Sequence, residues 1–475
     1  MSQQVKADIC VIGAGSGGLS VAAGCSQMGA KTVLIEKAKM GGDCLNYGCV
    51  PSKAMLAAGK AAQAHRAGTS FGVKENQPSI DYKTMYSHIQ GVIGAIAPND
   101  SVERFEGLGV QVIKGAARFV GNREILANDT RVTARRFVVA TGSSAAIPPI
   151  PGIDTVPYYT NETIFSAKQF PKHLIIIGGG PIGCELAQAH RRLGAEVTIL
   201  EMFSIMPKDD PELVAVVRQS LLNEGIIILE GVGVENIEKT SNGVSVTIKS
   251  EDIMNQIEGS DLLVAAGRRP NLDGLDLEAG GITYDRPGIK VDARLRTSNK
   301  RVFAIGDCAG SYQFTHVAGY HAGIVIRNAL FRLPAKVNYT AVPWVTYTSP
   351  ELAQVGLTES EARQKHGSDI RILRWPFHEN DRAQAEHQTN GMVKAIVTPK
   401  GHILGASIVG PGAGEMIQTW VLAMTNKLKI GAMASMISPY PTFGEASKRV
   451  AGSFYTQALF GERTKKIVKF LSLFG

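Results

Sequence analysis

The chain has 475 residues, 44% of them apolar and 19% charged, a soluble globular balance in a chain too long for one compact core, so about two to four domains are expected. The net charge of +8 comes from scattered Lys and Arg, with no basic, aromatic-interleaved stripe and no zinc-finger spacing, which argues against a nucleic-acid binder. Cysteines at only 10, 25, 44, 49, 184 and 308 do not make a secreted disulfide framework, and no apolar run reaches membrane-spanning length.

The opening MSQQVKADICVIGAG enters a strand-like run directly, so no export leader is expected. The expected location is the cytoplasm, where a bridged cysteine pair is catalytic more often than structural. The stretch ADICVIGAGSGGLSVAAGCSQMGAKTVLIE reads as strand, glycine turn, helix and strand. Its turn holds Gly13, Gly15 and Gly18 in G-x-G-x-x-G spacing, and Glu36 closes the second strand. Such glycines let backbone amides approach a pyrophosphate at the positive end of the following helix, and the acid accepts hydrogen bonds from a ribose.

Just downstream lies GGDCLNYGCVPSK. On an ideal helix, residues five apart have Cα atoms roughly 8.7 Å apart, beyond the ~7 Å reach of a disulfide. A bridge between Cys44 and Cys49 therefore needs a distorted turn, which Gly48 permits. Pro51 suits the first turn of a helix through PSKAMLAAGKAAQAHR, placing Cys49 near a helix N-terminus that favours a thiolate. No second cluster has zinc-ligand spacing, and no metal ligand is expected. Inert thiols are the ordinary reading of two cysteines; beside a dinucleotide cradle, a redox pair is the better one.

A second cradle follows in HLIIIGGGPIGCELAQAHRRLGAEVTILE, with Gly178, Gly180, Gly183 and Glu201 in the same register. A lone glycine motif is weak evidence; two in strand–helix–strand settings, each with its acid eighteen residues after the last glycine, are strong. Two dinucleotides in one chain point to electron relay between a nicotinamide and a flavin. Glu201 repels a 2′-phosphate and EMFSIMPKDD offers no arginine behind it, so NADH is expected, with NADPH left open.

With VATGS at 139–143, VAAGRRPN at 264–271, RVFAIGDCAG at 301–310, THVA at 315–318 and VTYTSPELAQVGLTE at 345–359, the chain resembles, over nearly its whole length, the flavin-dependent pyridine nucleotide–disulfide oxidoreductases. That group contains dihydrolipoamide dehydrogenase, glutathione reductase and mercuric reductase. The resemblance implies an α/β fold of two Rossmann-like dinucleotide-binding domains, for FAD and NAD, plus an α+β C-terminal dimerisation domain. The implied boundaries are 1–150 for the first part of the FAD domain, 151–270 for NAD(P), 271–340 for the FAD return segment, 341–462 for dimerisation and 463–475 for a basic tail. FAD is expected on Gly13, Gly15, Gly18, Glu36, Lys37, Gly42, Asp43, Lys53, Thr141, Gly142 and Asp307. The nicotinamide nucleotide is expected on Gly178, Gly180, Gly183, Glu201 and Gly267. By resemblance Lys53 pairs with Glu185, Cys49 faces the flavin and Cys44 the acceptor. NADH then reduces FAD, the flavin reduces the cysteine bridge, and a freed thiolate attacks the acceptor.

The disulfide-reducing members carry a His-Pro-Thr-x-x-Glu motif whose histidine reaches the partner subunit. Here SPYPTFGEASKR keeps Pro441, Thr442 and Glu445 but has Tyr440 at the histidine position. A phenol with a pKa near ~10 is a poor shuttle where an imidazole near ~6.5 is well matched, and a lost general base costs about 10²–10⁴-fold. Tyrosine there resembles mercuric reductase, whose paired-cysteine C-terminus KFLSLFG does not match. His316 and His321 are expected to be structural hydrogen-bonders. The leading expectation is a homodimeric NADH-preferring flavoprotein passing electrons to a small-molecule acceptor without the histidine base, with Tyr440 and Glu445 as candidate catalytic residues. A mercuric-reductase-like metal reductase is the second reading. The third is a structural or electron-transfer subunit docked to a larger complex, or in weak contact with the inner membrane face, through RTKKIVKFLSLFG; the plainer reading of that tail is a segment packed on the body or frayed.

Overall fold

In the computed structural model, which describes residues 3–74, 77–251 and 253–474, the first strand, β1 (Gln3–Ile12), leads through helix α1 (Ser16–Gln27) to β2 (Thr32–Glu36). These strands are parallel and belong to a seven-stranded sheet. Val110–Lys114 extends it in parallel beyond β2, and Thr130–Val139 pairs with β1 on the other side. Val302–Ala304 returns from late in the chain to lie parallel to the end of Thr130–Val139. Sequence alternation explains the two covered faces. Cys10, Val33, Ile35 and Val139 pack on one side of the sheet, while Ile9, Val11, Leu34 and Val138 pack on the other with Val21 of α1 and Ile324 of the helix Thr315–Ala329. Strands buried on both faces need such near-continuous apolar runs.

A second parallel sheet has the order Ile227–Glu230, Glu196–Glu201, His173–Ile177, Asp261–Val264. Ile175, Ile177 and Leu200 face an antiparallel three-stranded sheet (233–259) through Val244 and Val246. Leu174, Ile176 and Ile199 face the helices Pro181–Arg192 and Pro211–Asn223. Helix α3 (Cys49–Arg66), which follows the short α2 (Gly42–Asn46), joins that same core through Met55. Gly59 makes the approach close, since a β-carbon there sits 3.4 Å from Ala189. The cysteine-bearing helix is thus wedged between the two parallel-sheet units.

The last unit is a five-stranded antiparallel sheet in the order 343–346, 351–356, 403–410, 392–397, 371–376. Helices Ala413–Thr425 and Glu445–Leu459 complete its core around the fully buried Trp420, whose indole N–H donates to Ser447 at 3.1 Å. The fold is therefore two Rossmann-like α/β units and one α+β unit. The tail is a helix over Glu462–Leu471 with no buried residue, bonded to the preceding helix through Thr464; its final Gly475 lies outside the described residues. No described helix is long and apolar enough to cross a membrane.

Candidate active site

The two glycine turns are built alike, down to the clashes they avoid. A β-carbon on Gly18 would lie 1.9 Å from the carbonyl oxygen of Gly13, and one on Gly183 would lie 2.0 Å from that of Gly178. These last glycines of each motif do not line the cleft; they let helix and strand touch. Gly15 and Gly180 are different. A β-carbon on Gly180 meets nothing within 4 Å and one on Gly15 only the Gly42 Cα at 3.9 Å, so both face the space a pyrophosphate takes at the amide end of α1 and of Pro181–Arg192. Glu36 is held by the Ala14 and Ala38 N–H groups, both at 2.6 Å. Glu201 is held in the same way by the N–H groups of Gly179 at 2.7 Å and Phe203 at 3.0 Å. The residues present fit two dinucleotides.

Both cradles open into one continuous cleft of about 2890 Å³. Gly13, Gly15, Glu36, Lys37, Gly42, Asp43, Lys53, Thr141, Gly142 and Asp307 line it, as do Gly178, Gly180, Glu185, Glu201, Gly267 and both Cys44 and Cys49. Cys44 lies in α2 and Cys49 is the first residue of α3. Between them Tyr47 and Gly48 leave helical geometry, Gly48 at φ −119°, ψ −109°, the distorted turn that a pair five residues apart requires. Both cysteines are thiols here, and the Cys44 thiol hydrogen-bonds Cys49. That bond lowers the Cys49 pKa to about 6 against its burial, helped by the Thr315 hydroxyl at 3.4 Å and the Lys53 charge. The same bond, with burial, pushes Cys44 far up. One thiolate and one thiol result, the first at a helix N-terminus where the dipole favours it.

Lys53, one turn along α3, donates to Glu185 Oε2 at 2.8 Å, and the other Glu185 oxygen accepts from the Tyr347 N–H at 2.9 Å. The Lys53 ammonium also sits 4.4 Å from the Tyr347 ring centre. Asp307 accepts from the Ser143 hydroxyl at 2.5 Å, and burial raises its pKa. Arg268 lies 3.1 Å from Asp43 and 3.9 Å from Asp307, linking the two acids. Asn161 donates to Asp43 at 3.0 Å. His321 is buried, accepting from the Gly306 N–H at 3.1 Å and meeting the Tyr339 hydroxyl at 2.8 Å, while His316 meets the Pro343 carbonyl at 2.8 Å.

Sequence reasoning passed over Arg268, Asn161, Ser143, Thr315 and Tyr347. Four of them sit inside quoted motifs (Ser143 in VATGS, Arg268 in VAAGRRPN, Thr315 in THVA, Tyr347 in VTYTSPELAQVGLTE), and only Asn161 carried no signal. Tyr440 and Glu445, in contrast, do not line this cleft. Tyr440 is 68% exposed and its hydroxyl donates to Asp381 at 2.8 Å. Glu445 begins the helix Glu445–Leu459 and bonds Arg449. One chain does not bring them to the cysteines. Among the described residues, no group of three or more His, Cys, Asp or Glu side chains gathers to hold a metal.

Residues 7–322 match the family model described as pyridine nucleotide–disulphide oxidoreductase, and residues 342–451 match its dimerisation domain, which supports a homodimer. A mercuric reductase of Staphylococcus aureus is 34% identical over 450 residues, covering 94% of this chain and 82% of that protein. A dihydrolipoyl dehydrogenase of Thermus scotoductus is 35% identical over 469 residues, covering 95% and 98%. Among solved structures, the Cu(II) complex of the HOCl-induced flavoprotein disulfide reductase RclA from Escherichia coli superimposes with a TM-score of 0.84 at 29% identity, covering 94% of this chain and 99% of that one. The doubled cradle, the broken turn between two cysteines and these matches together make the chain a member of the pyridine nucleotide–disulphide oxidoreductase family.

Proposed function

We propose that the protein passes electrons from NADH, through FAD, to the Cys44–Cys49 pair and on to a thiophilic acceptor that needs no imidazole base, a soft metal ion above all. The observation that carries this reading is the Tyr440–Asp381 hydrogen bond. It raises the pKa of an already weak acid, so at neutral pH Tyr440 holds its proton and donates to Asp381. A proton shuttle to a departing substrate thiol has no support there. The relatives named as mercuric reductases and the Cu(II) complex favour a metal ion. A small persulfide or disulfide is the second reading, favoured by the dihydrolipoyl dehydrogenases.

FAD, when bound, supplies the two-electron exchange between nicotinamide and dithiol. The chain's own residues do the rest. Gly15 and Gly180 leave room for the pyrophosphates, Glu36 and Glu201 take the riboses, and Glu201 disfavours a 2′-phosphate. Asp307, tied to Ser143 and close to Arg268, binds the flavin's polyol chain. Lys53, fixed by Glu185, keeps a positive charge beside Cys49 and stabilises its thiolate. A soft ion bound by the two cysteine sulfurs takes two electrons per NADH, one Hg(II) going to Hg(0) or two Cu(II) to two Cu(I), with one proton released.

The deciding experiment compares wild type and Tyr440→His in anaerobic, NADH-dependent lipoamide reduction, beside metal-dependent NADH oxidation in excess thiol. Wild type should be slow with lipoamide and gain about a hundredfold with histidine. Metal-dependent oxidation should vanish in Cys44→Ser while NADH still bleaches the flavin. Brisk lipoamide turnover by wild type would sink the proposal.

A further inference from the structure

We infer that the helix Glu462–Leu471 is a docking element for an anionic membrane surface. The inference is independent of which acceptor the cysteine pair serves. The helix follows directly on Glu445–Leu459, is tied to it by the Thr464 hydroxyl donating to the Ala458 carbonyl at 2.7 Å, and buries none of its residues. The match to the family's dimerisation domain ends at residue 451, before this helix begins.

Its chemistry is two-sided. At about 100° per residue, Ile467, Phe470 and Leu471 fall within one arc of about 100°, with Val468 about 60° beyond it. Lys465 and Lys469 fall on the opposite side with Glu462, Lys466 lies at the edge beside Phe470, and Arg463 falls within the apolar arc at the N-terminal end of the helix. No acid follows Glu462 in the sequence. Phe470 is 58% exposed and Phe474 75%, their ring centres 5.2 Å apart. Leu459 and Phe460, at the end of the preceding helix, are also bare, at 57% and 72% exposed.

A protein partner would have to cover bare phenylalanines while matching three lysines. An anionic bilayer does both at once, taking the apolar arc at the acyl boundary and the ammonium groups at lipid phosphates. The helix is too short to span, so it lies in the interface plane. The fit is to the phosphate headgroups of a membrane; free phosphate offers nothing to the apolar arc.

The test uses full-length holoenzyme and sedimentation with two vesicle populations, pure phosphatidylcholine and phosphatidylcholine with about a third phosphatidylglycerol. Binding is expected to the anionic vesicles alone. Each cation near such a surface is worth about fivefold in partitioning, so Lys465→Gln, Lys466→Gln and Lys469→Gln together should weaken binding about a hundredfold. Phe470→Ser with Phe474→Ser should weaken it while leaving the charge unchanged. NADH-dependent flavin reduction is recorded on every variant and should not change, which separates loss of docking from loss of the enzyme. Equal sedimentation of wild type and the lysine variant overturns the inference. So does a shift from dimer to monomer in either variant, measured by light scattering, because the apolar arc is then covered by the second copy. Binding reversed by millimolar inorganic phosphate but unaffected by the phenylalanine changes also overturns it, leaving only a phosphate site.

Discussion

Removing the Cys44 thiol should raise the pKa of Cys49, and the structure sets by how much. Cys49 titrates at about 6, held down first by the hydrogen bond from Cys44 and then by Thr315 and Lys53, against the cost of burial. A hydrogen bond to a charged group is worth about 1.5–3 kcal/mol, with a thiol donor at the low end. At 1.36 kcal/mol per pH unit, Cys44→Ala should move the midpoint up by roughly one unit, to about 7. The sign follows from which form reacts. The thiolate is the nucleophile, present above the midpoint and lost as pH falls through it. At pH 6.5 the thiolate fraction should therefore fall from about three-quarters to about one-quarter, slowing alkylation about threefold. The assay is iodoacetamide labelling of reduced, anaerobic holoenzyme from pH 5 to 9, with the Cys49 peptide followed by mass spectrometry. Superimposable profiles for wild type and Cys44→Ala would refute the reasoning. So would a wild-type midpoint near the ~8.5 of a free thiol.

The cradles and the unit interface give two more expectations. Gly18→Ala and Gly183→Ala each drive a β-carbon to 1.9 or 2.0 Å from a backbone carbonyl, a clash with backbone that costs about 1–3 kcal/mol or more. Absorbance and steady-state kinetics should show Gly18→Ala purifying poor in flavin, and Gly183→Ala keeping flavin but losing NADH affinity; the reverse pattern would mean the two cradles are misassigned. Lys394, only 2% exposed, sits 2.7–2.8 Å from Asp210, Glu212 and Glu359. Arg374 also pairs with Glu212 and Glu359, and Arg363 with Glu359. Replacement of Lys394 by methionine therefore strips the buried Asp210 of its cation and should cost about 3 kcal/mol, the low end for a broken buried pair. Urea unfolding of the holoenzyme measures this, and a loss below about 1 kcal/mol would show that the acids find other partners.

How much of this was readable beforehand depended on distance along the chain. Each cradle is encoded within about thirty residues, because a strand, a tight turn and a helix must succeed one another for amides to converge on a phosphate. The break between Cys44 and Cys49 was legible for the same reason: five residues of helix cannot close a disulfide, so Gly48 had to interrupt it. The Lys53–Glu185 pair, 132 residues apart, has no local signature and came only by resemblance. Arg268, Asn161, Thr315 and Tyr347 are of the same kind. Each is an ordinary polar residue whose partner lies far away along the chain, and hydrophobic periodicity says nothing about it. The tail stood between. Its apolar and basic residues were plain, yet an exposed two-sided helix and a packed one share that pattern, and only the structure separated them.

Tyr440 marks the limit of a single chain. The substitution was visible as a letter, and its chemistry followed from a pKa, but its place did not. The hydroxyl is committed to Asp381, 59 residues away in sequence, on a surface outside the cleft that holds the cysteines. Asp381 starts a short helix capped by Asn380, and Asn380 also donates to the Thr442 carbonyl at 3.0 Å. Asn380 and Asp381 therefore pin the two ends of the Tyr440–Thr442 segment to one neighbouring loop. An exposed phenol held this firmly is not a loose surface residue. Asp381 raises the pKa of Tyr440 just as a carboxylate raises that of a catalytic imidazole, but the phenol starts at ~10 where the imidazole starts at ~6.5, so the same shift carries tyrosine further from neutral pH. The proton becomes harder to remove, which suits an acceptor whose reduction needs no proton from this residue.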